Sequence, residues 1–176
     1  MDAPINRILI SEDDIKRRVE EMGREISRDY DGKVPILVSI LKGGIIFLSD
    51  LVRHLTIPHE IDFMSVSSYD NGMETSGVVR ILADLNKNIE GDDVLIVEDI
   101  VDTGLTLDYI RDILLARHPK TLRICTLLDK KARRRIEVPI DYVGFTIPDT
   151  FVIGYGLDYR EKYRNLPYVA ILEINP

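Results

Sequence analysis

Three carboxylates crowd the end of one apolar run. Val94-Leu95-Ile96-Val97 leads directly into Glu98 and Asp99, Asp102 follows, and the stretch closes on Thr103-Gly104-Leu105-Thr106. Like charges this close repel one another, and burying them without partners costs on the order of several kcal/mol. The pattern therefore calls for a ligand that offsets them. Gly104 allows a backbone that exposes its N–H groups, Thr103 and Thr106 add hydroxyls, and a helix-patterned stretch starts at Thr106 with its positive dipole end facing the same space. Acids beside such an anion cradle suit a molecule carrying a phosphate together with sugar hydroxyls or a metal. The Walker pattern G-x-x-x-x-G-K-[ST] is absent. A plainer reading competes, in which Asp102 does no more than cap the helix that follows.

Other stretches carry chemistry less distinctly. In "LKGG" (41–44), Gly43 and Gly44 let backbone amides approach oxygen atoms closely, although a plain strand–helix turn reads the same way. The polar "SSYDNGMETSG" (67–77) interrupts two strand-like runs, and the basic "KKARRR" (130–135) is most simply a solvated face. Phe151 reads as a core strand residue, and Arg164 as the surface partner of Glu161.

These residues need elements to position them. "SEDDIKRRVEEMGREISRDY" (11–30) predicts an amphipathic helix, with Ser11 as N-cap and Ile15, Val19, Met22 and Ile26 at helical spacing. "VPILVSI" (34–40), "DVLIVED" (93–99) and "TLRICTLLD" (121–129) are nearly continuous apolar runs, expected of strands covered on both faces. Helices are expected over 44–55 and 106–117, further strands over 61–69 and 77–84, and three short strands in "DYVGF", "FVIGY" and "YVAIL". Strand–helix–strand order predicts an α/β fold with a mainly parallel sheet, whose ligands bind beyond the carboxyl ends of the strands. The acids of 98–102 lie at such an end.

Composition narrows the class. The 176 residues are 45% hydrophobic and 30% charged with a net charge of −7, as expected of a globular chain and unfavourable to wholesale nucleic-acid binding. With no repeats or linker-like segments, 1–176 reads as a single domain. No run approaches a membrane span, the amino terminus lacks a signal-peptide pattern, and the single Cys125 fits a reducing cytoplasm.

Two acids, an apolar pair and Asp-Thr-Gly-x-Thr after an apolar strand resemble the phosphoribosyl-pyrophosphate motif of type I phosphoribosyltransferases. "LKGG" resembles the pyrophosphate loop of their hypoxanthine-guanine branch, 67–77 its mobile active-site loop with the Ser68-Tyr69 pair, and 127–134 and 147–169 its purine-binding segments. The resemblance covers 35–172. It implies a parallel core sheet with a small hood from the N- and C-terminal segments. It further implies transfer of a 5-phosphoribosyl group from phosphoribosyl pyrophosphate to a 6-oxopurine, with release of pyrophosphate.

Residue roles follow from the same resemblance. Glu98, Asp99, Ile100, Val101, Asp102, Thr103, Gly104, Leu105 and Thr106 would bind the phosphoribosyl group, with Asp102 as general base near the purine N7. Lys42, Gly43 and Arg164 would hold pyrophosphate, and the Leu41–Lys42 peptide is often cis in the family. Lys130 would donate to the 6-oxo group, Phe151 stack on the ring and Val152 meet the base edge, with Asp158 beside them. Glu98, Asp99 and Asp158 would ligate Mg2+. Thr150 departs from the lysine that some relatives carry there. The implied partners are the two small substrates and further copies of the chain as a homodimer or homotetramer, with neither nucleic acid nor membrane. Two rival readings are an RNA-binding regulator on the same fold, disfavoured by the net charge, and a transferase using adenine, orotate or uracil, disfavoured by Lys130 and "FVIGYGLDY".

Overall fold

The computed structural model describes residues 5–70 and 75–173, giving the backbone alone for 68–70 and 75–78. In chain order the elements are β1 (Ile5–Ile10), α1 (Glu12–Asp29), β2 (Ile36–Leu41), α2 (Ile45–Val52), β3 (Glu60–Asp70), β4 (Thr75–Ala83), β5 (Asp93–Val101), α3 (Leu105–Leu115), β6 (Thr121–Asp129), β7 (Tyr142–Thr146), β8 (Val152–Ile153) and β9 (Val169–Leu172). A 3-10 turn spans Lys131–Arg133.

Local chemistry explains α1. Ser11 stands in extended conformation before the helix and accepts from the Asp14 N–H at 3.1 Å, while Glu12, Asp13 and Asp14 face the positive helix end. Ile15, Val19, Met22 and Ile26 are buried on one stripe, as their spacing predicts.

Six strands form the main sheet in the order β4-β3-β2-β5-β6-β7. All neighbours are parallel except β4, which returns antiparallel to β3. The two faces are covered by different helices. Leu37, Leu95, Val97, Cys125 and Leu127 pack with α1 and α2, whereas Ile36, Val38, Val94, Ile96 and Ile124 pack with Leu107, Ile110 and Leu114 of α3. Alternate residues of one strand thus enter different cores, and continuous apolar runs follow. Cys125 is buried in this packing and burial pushes its thiol up.

A second sheet, β1-β9-β8, is antiparallel and made from the two chain ends. It forms the small hood that the resemblance implies. Ile153, Ala170 and Leu172 give it a core of its own. One strand was not expected from the sequence and one expected strand is shorter. β1 carries no strand signal, since Ile5 to Leu9 are exposed or half-buried and only Ile10 is buried. "FVIGY" shortens to β8, because Gly154, Tyr155 and Gly156 all take positive φ. The active-site loop expected over 67–77 overlaps the ends of β3 and β4, and its residues 71–74 lie outside the described residues. Among the described residues no helix is long and apolar enough to cross a membrane.

Candidate active site

The carboxyl ends of β2, β5 and β6 share one edge of the sheet, with Val101 opposite Asp129. Beyond β5 the chain turns sharply. Thr103 O accepts from the Arg135 and Ile136 N–H groups at 2.9 and 3.3 Å, tying the turn to the loop that follows β6. Gly104 sits at φ 85°, and a Cβ there would lie 2.6 Å from the Ile136 carbonyl oxygen, so only glycine fits. α3 then starts at Leu105 and presents its amino terminus to a cleft of about 200 Å³. Glu98, Asp102, Thr103, Gly104 and Thr106 line that cleft, with Ile100 and Val101 at its floor. The N-cap of α3 is Gly104, with no side-chain cap bond. Helix capping therefore does not account for Asp102.

The two acids at the strand end pay heavily in desolvation. Asp99 is 9% exposed, accepts from the Ile100 N–H at 2.8 Å, and is pushed up to about 6 by burial. Burial, then the neighbouring Asp99 charge, raises half-buried Glu98 well above the usual carboxylate range. The 41–44 loop lies directly over Asp99: a Cβ on Gly43 would collide with its carboxylate. The Leu41–Lys42 peptide is cis, as the resemblance implies. From the hood, Gly156 at φ 99° approaches the Gly43 carbonyl so closely that no side chain would fit.

On the other side of Asp102 opens a cleft of about 320 Å³, lined by Ile100, Lys130, Arg133, Phe151, Val152 and Asp158 among others. The basic run divides here. Lys130 is only 5% exposed, with its Nζ 3.8 Å from Asp102 Oδ2, and Arg134 pairs with buried Asp129 while its Nε donates to the Asp102 carbonyl at 3.2 Å. Lys131 and Arg133 remain exposed. Phe151 is not a core residue: it is 42% exposed, its ring edge-on to Tyr159 at 5.9 Å. Thr150 lines the same cleft.

Lys42 and Arg164 meet at Glu161, 2.7 Å from Lys42 Nζ and 3.4 Å from Arg164 Nη2. Arg164 also lies 3.1 Å from Asp158 Oδ1 and donates to the Gly156 carbonyl at 2.7 Å. The expected Arg164–Glu161 ion pair is therefore present alongside two further contacts. Ser68 and Tyr69 lie just before the end of β3 at Asp70, and their side chains are outside what is described.

Sequence reasoning missed Arg133 and Asp149. The Arg133 Nε stands 3.5 Å from Asp102 Oδ1 and 3.8 Å from Asp149 Oδ1. Its place three residues after Lys130, which a 3-10 turn brings onto one side, was the available signal. Asp102 Oδ1 itself is buried without a hydrogen bond among the described residues.

Comparison with known proteins agrees with this geometry. Residues 10–160 match the phosphoribosyl transferase domain family. Hypoxanthine phosphoribosyltransferase of Salmonella typhimurium is 53% identical, over 93% of each chain. A bifunctional protein TilS/HprT of Listeria monocytogenes is 50% identical over 96% of this chain, which spans only 26% of that relative's length. The crystal structure of a Staphylococcus aureus hypoxanthine phosphoribosyltransferase superposes with a TM-score of 0.93 at 48% identity, covering 96% of this chain and 92% of that one. An α/β sheet with a terminal hood, a cradle at the end of β5 and this degree of likeness together place the chain in the phosphoribosyl transferase family, to which it belongs through its hypoxanthine(-guanine) branch.

Proposed function

We propose that the protein is a purine-salvage transferase that moves the 5-phosphoribosyl group from phosphoribosyl pyrophosphate to a 6-oxopurine. Hypoxanthine is the first candidate and guanine the second, giving IMP or GMP and pyrophosphate. The observation that carries this reading is the meeting of two clefts at Asp102, one an anion cradle and the other walled by Lys130 and Phe151. In the reaction the bond from the anomeric carbon to a pyrophosphate oxygen breaks, and its electron pair leaves with pyrophosphate. The purine N9 supplies the pair for the new bond, and the proton on N7 passes to the Asp102 carboxylate. Backbone N–H groups of 103–106 with the Thr103 and Thr106 hydroxyls hold the 5-phosphate, which fixes the ribose for in-line attack. Lys130 has donors only and matches an oxygen at position 6. Phe151 offers an exposed ring face to the base, and Val152 its backbone.

Glu98, Asp99 and Asp158 fit a magnesium ion in kind, since all are hard oxygen donors. Among the described residues no three His, Cys, Asp or Glu groups converge on one point. That suits a cation bound through one or two carboxylates and completed by substrate oxygens and water. When bound, magnesium would neutralise charge on the ribose hydroxyls and the departing pyrophosphate. It would also relieve the desolvated Asp99 carboxylate. Lys42, Gly43 and Arg164 take the pyrophosphate itself.

Self-association as a homodimer or homotetramer belongs to the same reading, supported by Ile61 and Leu82, exposed at 45% and 59% on β3 and β4. Sedimentation would test it, and a monomer at working concentration would refute it. A cytoplasmic setting is supported by the single buried thiol. The deciding experiment for function is nucleotide formation from hypoxanthine, guanine, xanthine and adenine with phosphoribosyl pyrophosphate and magnesium. Product from none of the 6-oxopurines would sink the reading.

A further inference from the structure

Glu161 spans two cations with its two oxygens. Oε2 accepts from Lys42 Nζ at 2.7 Å and Oε1 from Arg164 Nη2 at 3.4 Å. Lys42 belongs to the loop beyond β2 and Arg164 to the hood, so the carboxylate closes a gap between two parts of the protein far apart in sequence. Its position is set by backbone. The Glu161 N–H donates to Asp158 Oδ2 at 2.8 Å, and Glu161 holds φ 65° between Arg160 at 51° and Tyr163 at 77°. Left-handed geometry at three such residues is uncommon and is sustained only by surrounding contacts. Yet the ion pair is weakly held, because the Lys42 and Glu161 side chains are 66% and 65% exposed. A group held in place by its backbone, bridging two cations by bonds that water screens, is suited to being displaced.

We propose that Glu161 is a built-in stand-in for pyrophosphate. In the free protein its carboxylate occupies the anion position between Lys42 and Arg164. It gives way when the pyrophosphate half of the substrate arrives, and it reclaims both cations as pyrophosphate departs. Glu161 thereby sets the affinity for substrate and product alike, weakening both, and keeps two like charges from facing each other across an empty site. The inference rests on the phosphoribosyl-transfer reading, through the assignment of Lys42 and Arg164 to pyrophosphate.

The test is calorimetric titration of magnesium pyrophosphate into the wild type, Glu161→Gln, Lys42→Gln and the double variant, with no purine present. Glu161→Gln should bind pyrophosphate about two- to tenfold more tightly, the span expected for releasing exposed ion pairs. The gain should shrink in about 0.5 M salt and should be smaller when Lys42 is already neutral. Glu161→Ala, which leaves no polar group, should gain as much. Unchanged affinity in both Glu161 variants, or weaker binding in both, would overturn the proposal, the latter by making Glu161 part of the binding site. A wild type that binds pyrophosphate as described but makes no nucleotide would refute the function reading and leave this inference standing.

Discussion

The cleft at the end of β5 draws Glu98, Asp102, Thr103, Gly104 and Thr106 from one unbroken stretch, whereas the cleft beyond Asp102 gathers Lys130, Arg133, Phe151 and Asp158 from distant segments. The first is built mainly from backbone, with a glycine-only turn and a helix amino terminus, and at its strand end half-buried Glu98 and buried Asp99 are both raised. The second is built from side chains that already have ionic partners: Lys130 and Arg133 with Asp102, Arg164 with Asp158 and Glu161. One side therefore waits for a ligand to relieve it, while the other must exchange internal partners for the ligand. That contrast predicts a preformed phosphate site and a purine and pyrophosphate side tuned by competition.

Four variants test the contrast. The largest effect is expected at Asp102, where the clefts meet. Asp102→Asn removes the proposed proton acceptor without touching the helix cap, so turnover should fall by roughly 10²–10⁴-fold while phosphoribosyl pyrophosphate binds nearly as before. Steady-state kinetics with a direct binding measurement checks both halves, and unchanged turnover would remove Asp102 from the chemistry.

Lys130→Ala acts mainly on the side-chain-built cleft, though Lys130 also pairs with Asp102 between the two. It should weaken kcat/KM for hypoxanthine by roughly 1.5–3 kcal/mol, as for a lost charged hydrogen bond, and narrow the gap to adenine. Adenine places a donor against the lysine, so the wild type should use it very poorly. Full selectivity in the variant would mean that another residue reads position 6.

Asp99→Asn probes the backbone-built side through stability. The folded protein holds the Asp99 proton up to about 6, against 3.8 for the unperturbed group. Between those values the folded state binds the proton and the unfolded chain does not, so stability of the free protein falls as pH rises through this window. The variant lacks that loss. It should match the wild type near pH 4 and exceed it above pH 6 by on the order of 1–3 kcal/mol, as read from urea melts at both pH values. Equal stability throughout would show that Asp99 is not held at a cost.

The smallest change is expected for Phe151→Ala. Its partly exposed ring packs edge-on with Tyr159 and, on the proposed reading, would give face contact to the base. Loss of about 0.5–1.5 kcal/mol in purine KM is expected with kcat little altered, and a collapse of kcat instead would give the ring a part in the chemistry.

Much of the backbone-built cleft was legible in the sequence because its determinants are local. A doubly covered strand, acids at its end, a Thr-Gly turn and an amphipathic helix follow one another without interruption, and each has its own residue signature. The hood and the facing cleft were less so. Phe151 reads as a strand core residue, yet it lies just before β8 with its ring partly exposed along the second cleft. Arg134 and Lys130 sit in the same basic run as Lys131, yet burial separates them.

What the sequence determined by itself is therefore the alternation of buried strands and one-faced helices, the position of the acids at a strand's carboxyl end, and the glycine turn after it. Periodicity and turn chemistry act over a few residues, so they survive without knowledge of the fold. Only tertiary structure decided that the largely exposed Ile5–Ile10 is a strand, through its pairing with Val169–Leu172, and that Arg133 reaches Asp102. It also decided that one carboxylate, Glu161, reaches Lys42 across 119 residues of chain while pairing with nearby Arg164. Such contacts depend on where distant segments are brought by packing of the core, and no local pattern records that distance.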